Sequence, residues 1–460
     1  MNKFHLAIIS VLGLTLPAFS REELPQTERS LLQPEMETQI RPTGLNKADY
    51  ATGNWWSYRD RLHDAGVDVF GFYNNIISGN VSGGLDSGHA TYDHDIWLGA
   101  KFDLEKMFGW KGGLFAVSGI NREGEDLTAK YIGSIYSTQQ LVGGQRWFLY
   151  QVYLQQKLFR DQLTAKLGRF GASDDFNSSP LYGFSLNNGI NGNIRNVLFD
   201  TRFSAYPFAT WAGALFYEPN PQIHFKAGVF QTSEGMFEND DNGLNFGIGE
   251  RDGYTAIFQV GWTPEFFTRP GNALRTDEKS LSARDGKTGA APMIKGMPGH
   301  YWVGVTYSQW DLYRRFTGGF EDHSYGFYAH ADQMLYQEAP GSDEGLTAFV
   351  ASAYYPQTDI SIVPFQLNVG LNYKGLVPGR GEDHTMLHFI YGKLSRDYAR
   401  SVRVPGHGNA KSEEVLEFAH RIQITPWSYF QPDIQYVINP GGTGDISDAV
   451  VVGAQMGLTF

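Results

Sequence analysis

The residues best equipped for chemistry gather between positions 171 and 208. Asn177, Asn187, Asn188, Asn191, Asn193 and Asn196 stand there beside Asp174, Asp175, Arg195, Asp200 and Arg202, with Phe176, Tyr182 and Phe184 between them. An amide offers donors and acceptors together, and a guanidinium offers a fixed fork of donors, so the set suits reversible recognition of a hydrogen-bonding solute. A connection of this length in a compact protein is usually functional. Any one asparagine in it also serves as an ordinary turn residue bonded to its own backbone. Outside the stretch, Arg122, Arg169 and Arg421 fall on predicted strand faces or strand ends, and Asp95, Asp175, Glu417 and Asp433 are the acids that would pair with them. Such arginines either meet a solute or brace a wall by ion pairing.

Bond-making chemistry finds little support. Asp174 and Asp175 are two adjacent carboxylates, but neighbours in sequence diverge on most backbones, whereas a glycosidase holds its pair about 5 to 9 Å apart across a bound sugar. No GxSxG or comparable nucleophile arrangement is present. Glu238, Asp240, Asn242 and Gly243 match the front of a calcium loop, yet Gly249 stands where the closing acid belongs and Glu250 comes one residue late. A solvated acidic loop is the reading there. The 12 histidines show no HExxH and no paired spacing, so neither a metal nor a cofactor is expected. With no cysteine there is no disulfide framework, and a net charge of −12 argues against nucleic acid as a partner.

The elements that must hold these residues are strands. From Leu416 one parity reads Leu416, Phe418, His420, Ile422 and Ile424, and the other reads Glu417, Ala419, Arg421 and Gln423. After Thr425-Pro426-Trp427 the alternation resumes, with Gln431, Asp433 and Gln435 opposite Pro432, Ile434 and Tyr436. The last run puts Val450, Val452, Ala454, Met456, Leu458 and Phe460 on one face. Asp93, Asp95, Trp97, Gly99 and Lys101 oppose an apolar row, and so do Gln366, Asn368, Gly370, Asn372 and Lys374. Polar inner faces on strands of about ten residues suit a barrel with lipid outside and water inside. About sixteen such runs extend from 67–80 to 447–460. The fold expected is all-β, a transmembrane antiparallel barrel wide enough to leave an aqueous channel. Connections alternate short and long, as periplasmic turns and outer loops do, except for a long charged link from Thr263 to His300.

Before the barrel, residues 1–20 carry one early lysine, the apolar run Leu6–Leu16 and small residues at a peptidase spacing, which reads as an export signal. Residues 21–50 read as a polar periplasmic extension. Within 51–66, Trp55, Tyr58, Arg59 and Leu62 fall at helical spacing before Gly66. That predicts a short helix at the barrel mouth, with Arg59 and Arg61 as candidates for a gate. The barrel itself is assigned to 67–460.

The segments TGNWWSYRDRLHDAGVDV (52–69), FDLEKMFGWKGGLF (102–115), AKLGRFGASDDF (165–176) and above all FQPDIQYVINPGG (430–442), with the closing Phe460, resemble the carbohydrate-selective porins of the OprB type. The likeness runs from about Thr52 to Phe460. It implies an outer-membrane porin of a Gram-negative bacterium that passes glucose and related sugars passively through a sixteen-stranded barrel narrowed by an inward-folded loop. The stretch 171–208 is the candidate for that constriction loop. Sugars present hydroxyls around a weakly apolar ring, so Asn, Asp and Arg with an aromatic surface make a fitting rim. The sugar-contact candidates are Asp95, Trp97, Arg122, Arg169, Asp175, Arg195, Arg202, Lys374, Glu417, Arg421 and Asp433. Expected partners are mono- or oligosaccharides, outer-membrane lipid and lipopolysaccharide, with a homotrimer among the assemblies the resemblance allows. The competing functions are a general non-selective porin, a barrel-based outer-membrane hydrolase and a soluble secreted β protein.

Overall fold

A computed structural model describes residues 50–142, 146–237, 241–270, 293–294, 296–402 and 411–460. The segment read as an export signal and nearly all of the polar extension lie outside these residues. Sixteen strands follow in chain order: β1 Val67–Gly84, β2 His89–Asp103, β3 Gly113–Gly124, β4 Trp147–Leu158, β5 Leu163–Phe170, β6 Thr210–Asn220, β7 Ile223–Thr232 and β8 Gly253–Trp262, then β9 Met297–Arg314, β10 Phe320–Gln337, β11 Gly345–Tyr354, β12 Phe365–Lys374, β13 His384–Lys393, β14 Ser412–Thr425, β15 Ser428–Ile438 and β16 Ser447–Thr459. Each pairs antiparallel with its sequence neighbours. β1 pairs with β16 from Phe72 opposite Thr459 to Gly84 opposite Ser447, and this seam closes the barrel. All sixteen alternating runs read from the sequence are strands.

The inside and outside follow the two parities. Glu417 and Gln435 are almost wholly buried, while Leu416, Phe418 and Ile434 are exposed on the other face. Exposed aromatics ring both ends of the outer wall, Tyr92, Trp147, Tyr254, Tyr354 and Tyr436 at one and Tyr217, Trp262 and Tyr336 at the other. Amphipathic rings at both interfaces around an aliphatic band are what a lipid bilayer selects. Tight turns such as Thr425 to Ser428 and Asn220 to Ile223 mark the periplasmic end, and the long loops mark the outer end.

Three strands run longer than their sequence pattern, at 18 residues each. The β9–β10 hairpin is the clearest case. β9 pairs with β8 only as far as Gln309, but it continues against β10 to Arg314 opposite Phe320. Beyond the lipid there is no apolar face to maintain, so alternation fades while the ladder persists. The long link from Thr263 starts and ends as ladder, with Glu265–Phe266 against Pro298 and Met297, and Arg269–Pro270 against Ile294 and Met293. Residues 271–292 of it lie outside the described residues.

A short helix, α1 (Tyr58–Asp64), sits at the periplasmic end, where Ala51 N–H donates to the Thr459 carbonyl at 2.8 Å and Arg59 Nη1 donates to the Val69 carbonyl at 2.9 Å. A second, α2 (Leu104–Phe108), is capped by the Asp103 carboxylate, which accepts from Glu105 N–H and Lys106 N–H.

Candidate functional site

The connection 171–209 between β5 and β6 folds into the barrel. Its apolar residues Phe176, Tyr182, Ile190, Ile194, Val197 and Phe203 are fully buried against inward side chains of the wall, among them Phe170, Phe230, Trp302, Tyr328 and Phe349. On that side the lumen is therefore a packed core and not a hydrated surface. Aromatic residues on the inner parity of β9 to β11 serve as the bed for the loop. The loop also contains α3 (Asn196–Asp200), a single helical turn.

Polar ties fix the rest of the loop to strands around the barrel. Glu417 on β14 accepts from Ser185 Oγ, from Leu186 N–H at 2.5 Å and from Asn187 N–H at 3.2 Å. Asn187 Nδ2 donates to Gln435 Oε1 on β15 at 2.9 Å. Arg421 Nη2 donates to the Gly183 carbonyl at 2.6 Å, with its guanidinium between the Phe184 and Tyr429 rings. Across the barrel, Asn196 N–H donates to Gln366 Oε1 at 2.9 Å, and the Asp200 carboxylate accepts from Ile362 N–H at 2.7 Å. At the loop's base Lys166 pairs with Asp175 at 2.8 Å, while Tyr150 OH and Gln151 Nε2 donate to Asp174. Both adjacent carboxylates thus have structural partners. Burial pushes the Asp174 carboxyl up to about 6 against the pull of Lys166.

The connection between β3 and β4 turns inward as well, which its sequence did not announce. Ile135 and Tyr136 N–H donate to Glu413 at 2.8 and 2.9 Å, and Asn188 N–H of the constriction loop donates to the Ser137 carbonyl at 2.7 Å. The two loops brace each other.

Together they enclose a cavity of about 320 Å³ near the outer end of the barrel. It is lined by Arg122 and Arg195, by Gln140, Ser173, Ser179, Asn188, Asn191 and Asn193, and by the apolar faces of Phe199, Tyr206, Phe208 and Phe237. The Arg122 guanidinium lies 4.5 Å from the Tyr206 ring centre, and Tyr206 OH donates to Asp95 at 2.5 Å. Arg195 lies over the Phe199 ring at 5.1 Å. Enclosure, and then the neighbouring Arg122, pull the Arg195 guanidinium down to about 10, so it stays charged at neutral pH.

Of the residues singled out in the sequence, Arg122 and Arg195 line this cavity. Asp95 stands behind them, 4.0 Å from Arg122 Nε. Trp97 faces inward but is packed among Phe70, Phe72, Tyr150 and Tyr206. Asp175, Glu417 and Arg421 seat the loop, and Asp433 accepts from Gln435 Nε2 at 2.8 Å within the same wall. Arg202 donates to the Ser233 and Glu234 carbonyls at 2.7 and 2.6 Å and so ties the base of the β7–β8 loop. Lys374 pairs with Asp343 at 2.6 Å and Glu382 at 3.2 Å at the periplasmic end. Arg59 is stacked on Tyr50 and Trp55 at 3.8 and 4.3 Å, and Arg61 lies 5.3 Å from the ring of Tyr58. Neither lines the cavity.

One placement is a correction. Arg169 is not a lumen residue, because it shares the outward parity of β5 with Leu167, which is exposed, while Lys166 and Phe170 point in. It is covered by the β7–β8 loop folded over the outer wall, where its Nη1 donates to the Asn245 carbonyl and its guanidinium lies 4.7 Å from the Phe246 ring. Sequence reasoning also passed over Gln140, Tyr206, Phe208 and Phe237. Of the acidic loop, Glu238 and Asp240 lie outside the described residues.

Comparison with known proteins gives a concordant result. The chain is 24% identical over 443 residues to Porin B of Pseudomonas aeruginosa, covering 89% of this chain and 90% of that protein. It is 24% identical over 437 residues to Putative porin QuiX of Acinetobacter baylyi, covering 89% and 92%. The high-pH structure of Pseudomonas putida OprB has the same fold, with a TM-score of 0.78 at 24% identity over 90% of this chain and 99% of that one. The family model for carbohydrate-selective porins, OprB family, matches residues 87–460. Sixteen closed strands, an inward-folded loop and this match over most of the chain mean that the protein belongs to the OprB family of carbohydrate-selective porins of the Gram-negative outer membrane.

Proposed function

We propose that the cavity beneath the constriction loop is where a sugar is recognised on its way through the pore. The family passes carbohydrates, and the observation that carries the finer reading is the composition of this one space. Guanidiniums, amides and hydroxyls stand on its wall together with the faces of Tyr206 and Phe208. A hydroxyl-rich ring loses its hydration on entering a narrow passage, and these groups replace it, with aromatic carbon against the apolar ring face. Passage is downhill, and the site holds each sugar weakly enough to release it. Catalysis has no part in this reading, since Asp174 and Asp175 are held by Tyr150, Gln151 and Lys166. Lipid and lipopolysaccharide meet the exposed outer wall.

The test is single-channel conductance of the purified protein in a planar bilayer, with glucose, a disaccharide and an amino acid of similar size titrated into the bath. Saturable block by the sugars alone is expected. Equal, non-saturating effects of all three solutes would make the channel a general one and remove the cavity's role.

A further inference from the structure

We infer that the cavity is built to favour acidic sugars, pyranoses or open-chain sugars that carry a carboxylate, with Arg195 as the carboxylate's seat. The inference rests on the cavity being the sugar site. Among the described residues that line it, Arg122 and Arg195 bring positive charge and no Asp or Glu brings negative charge.

The two cations differ in what surrounds them. Arg122 has Asp95 behind it at 4.0 Å, with both side chains 3% exposed, and its Nη1 donates to the Val142 carbonyl at 3.3 Å. Asp93 and Glu123 flank the same arginine in a separate crevice. Arg195 has no ion pair among the described residues. Its contact is the apolar ring of Phe199, and Arg122, on the same cavity wall, adds repulsion. A guanidinium held in a confined space without a counter-charge is costly, and an incoming carboxylate relieves that cost where a neutral hydroxyl does not. The planar fork of donors also matches two carboxylate oxygens at once. Asn188, Asn191 and Asn193 line the same space and answer the hydroxyls, while Tyr206 and Phe208 take the ring face. A solute with a carboxylate at one end and hydroxyls along the rest therefore satisfies the whole lining, and glucose satisfies only part of it.

The experiment compares glucose, glucuronate and acetate as blockers of single-channel current in the full-length protein at 0.1 M KCl. Glucuronate is expected to half-block at about one tenth of the glucose concentration, as a charge-assisted contact implies. Raising KCl to 1 M should narrow that ratio. Arg195→Gln should bring it close to one. Arg195→Lys, which keeps the charge, should retain most of it, and Lys374→Gln, which removes a cation at the periplasmic end, should leave it at ten. Folding of each variant is checked by heat-modifiable gel migration. Equal block by glucose and glucuronate in the unmodified protein overturns the inference and leaves the sugar site standing. So does a ratio of ten that survives Arg195→Gln, or block by acetate as strong as by glucuronate. If a conducting channel is blocked by none of the sugars, the reading of the cavity as a sugar site falls first, and the inference with it.

Discussion

Replacing Glu417 with alanine should unseat the tip of the constriction loop without dismantling the barrel. Glu417 is fully buried and accepts from three donors of the loop, Ser185 Oγ, Leu186 N–H and Asn187 N–H. A hydrogen bond to a charged group contributes about 1.5 to 3 kcal/mol, and a buried donor left without an acceptor costs about 1 to 3 kcal/mol. Water in the lumen reaches part of the vacated space, so the net penalty falls well short of that sum, at about 3 kcal/mol. That shifts the ratio of seated to displaced tip by roughly a hundredfold. The bonds from Arg421 to Gly183, Gln431 to Phe184 and Asn187 to Gln435 remain, so insertion and closure of the barrel should survive. In planar bilayers the variant should show flicker to higher conductance levels and a half-blocking glucose concentration raised at least threefold. Glu417→Gln keeps one acceptor oxygen and should show less than half of the effect. A folded Glu417→Ala channel with the conductance and sugar block of the parent would refute the argument that this carboxylate seats the loop.

Four further outcomes follow from contacts described above. Lys166→Met removes the ion-pair partner of the buried Asp175 carboxylate and leaves Lys226, whose Nζ donates to the Asp175 carbonyl at 2.7 Å, as the nearby cation. It should therefore lower unfolding stability in detergent by no more than about 3 to 5 kcal/mol, and Asp175→Asn in the same chain should recover most of that. A Cβ on Gly457 would fall 2.2 Å from Tyr429 Cε1, so Gly457→Ala should cost about 1 to 3 kcal/mol in urea unfolding and, by moving the ring that carries Arg421, weaken sugar block as well. The Asp174 carboxyl is raised to about 6, so its contribution to stability is complete below about 4 and is lost as pH rises through 6. Measured from pH 4 to 8, the unfolding free energy of the parent should therefore fall relative to that of Asp174→Asn, by an amount on the order of 3 kcal/mol. Arg169→Leu should speed proteolysis in the β7–β8 loop while leaving sugar block unchanged; altered block would return Arg169 to the pore.

The strands were legible because two solvents act on one ladder. Lipid on one side and water or loop on the other leave period-two alternation, as in Leu416 to Ile424; a soluble sandwich alternates too, so it was the polar inner faces on strands of this number and length that pointed to a membrane barrel. Length together with Asn, Asp, Arg and aromatic content, set against the inward-folded loop that the family resemblance implies, marked 171–208 as the constriction. Individual roles were harder to read. Glu417 and Arg421 look in sequence like charges facing water, yet their partners are backbone groups of a loop more than 230 residues away, which no local pattern encodes. Arg169 was legible and misread, since Leu163, Ala165 and Leu167 share its parity and point to lipid. Burial of the β3–β4 loop left no local signal either, because its anchor is Glu413, again far along the chain.

The seat of the loop also ties the narrowing of the bore to the last strands of the chain. Asn187 finds Gln435 across 248 residues, and Ser185, Leu186 and Gly183 depend on β14 in the same way. Contacts of such sequence separation close a long stretch of chain and carry the entropic cost of doing so. Without β14 and β15 the loop has no ledge to rest on. β16 is the next strand, and its pairing with β1 seals the wall. The strands that seat the loop thus lie directly beside the seam that closes the wall, so the narrowing of the bore and the closure of the cylinder depend on the same end of the chain.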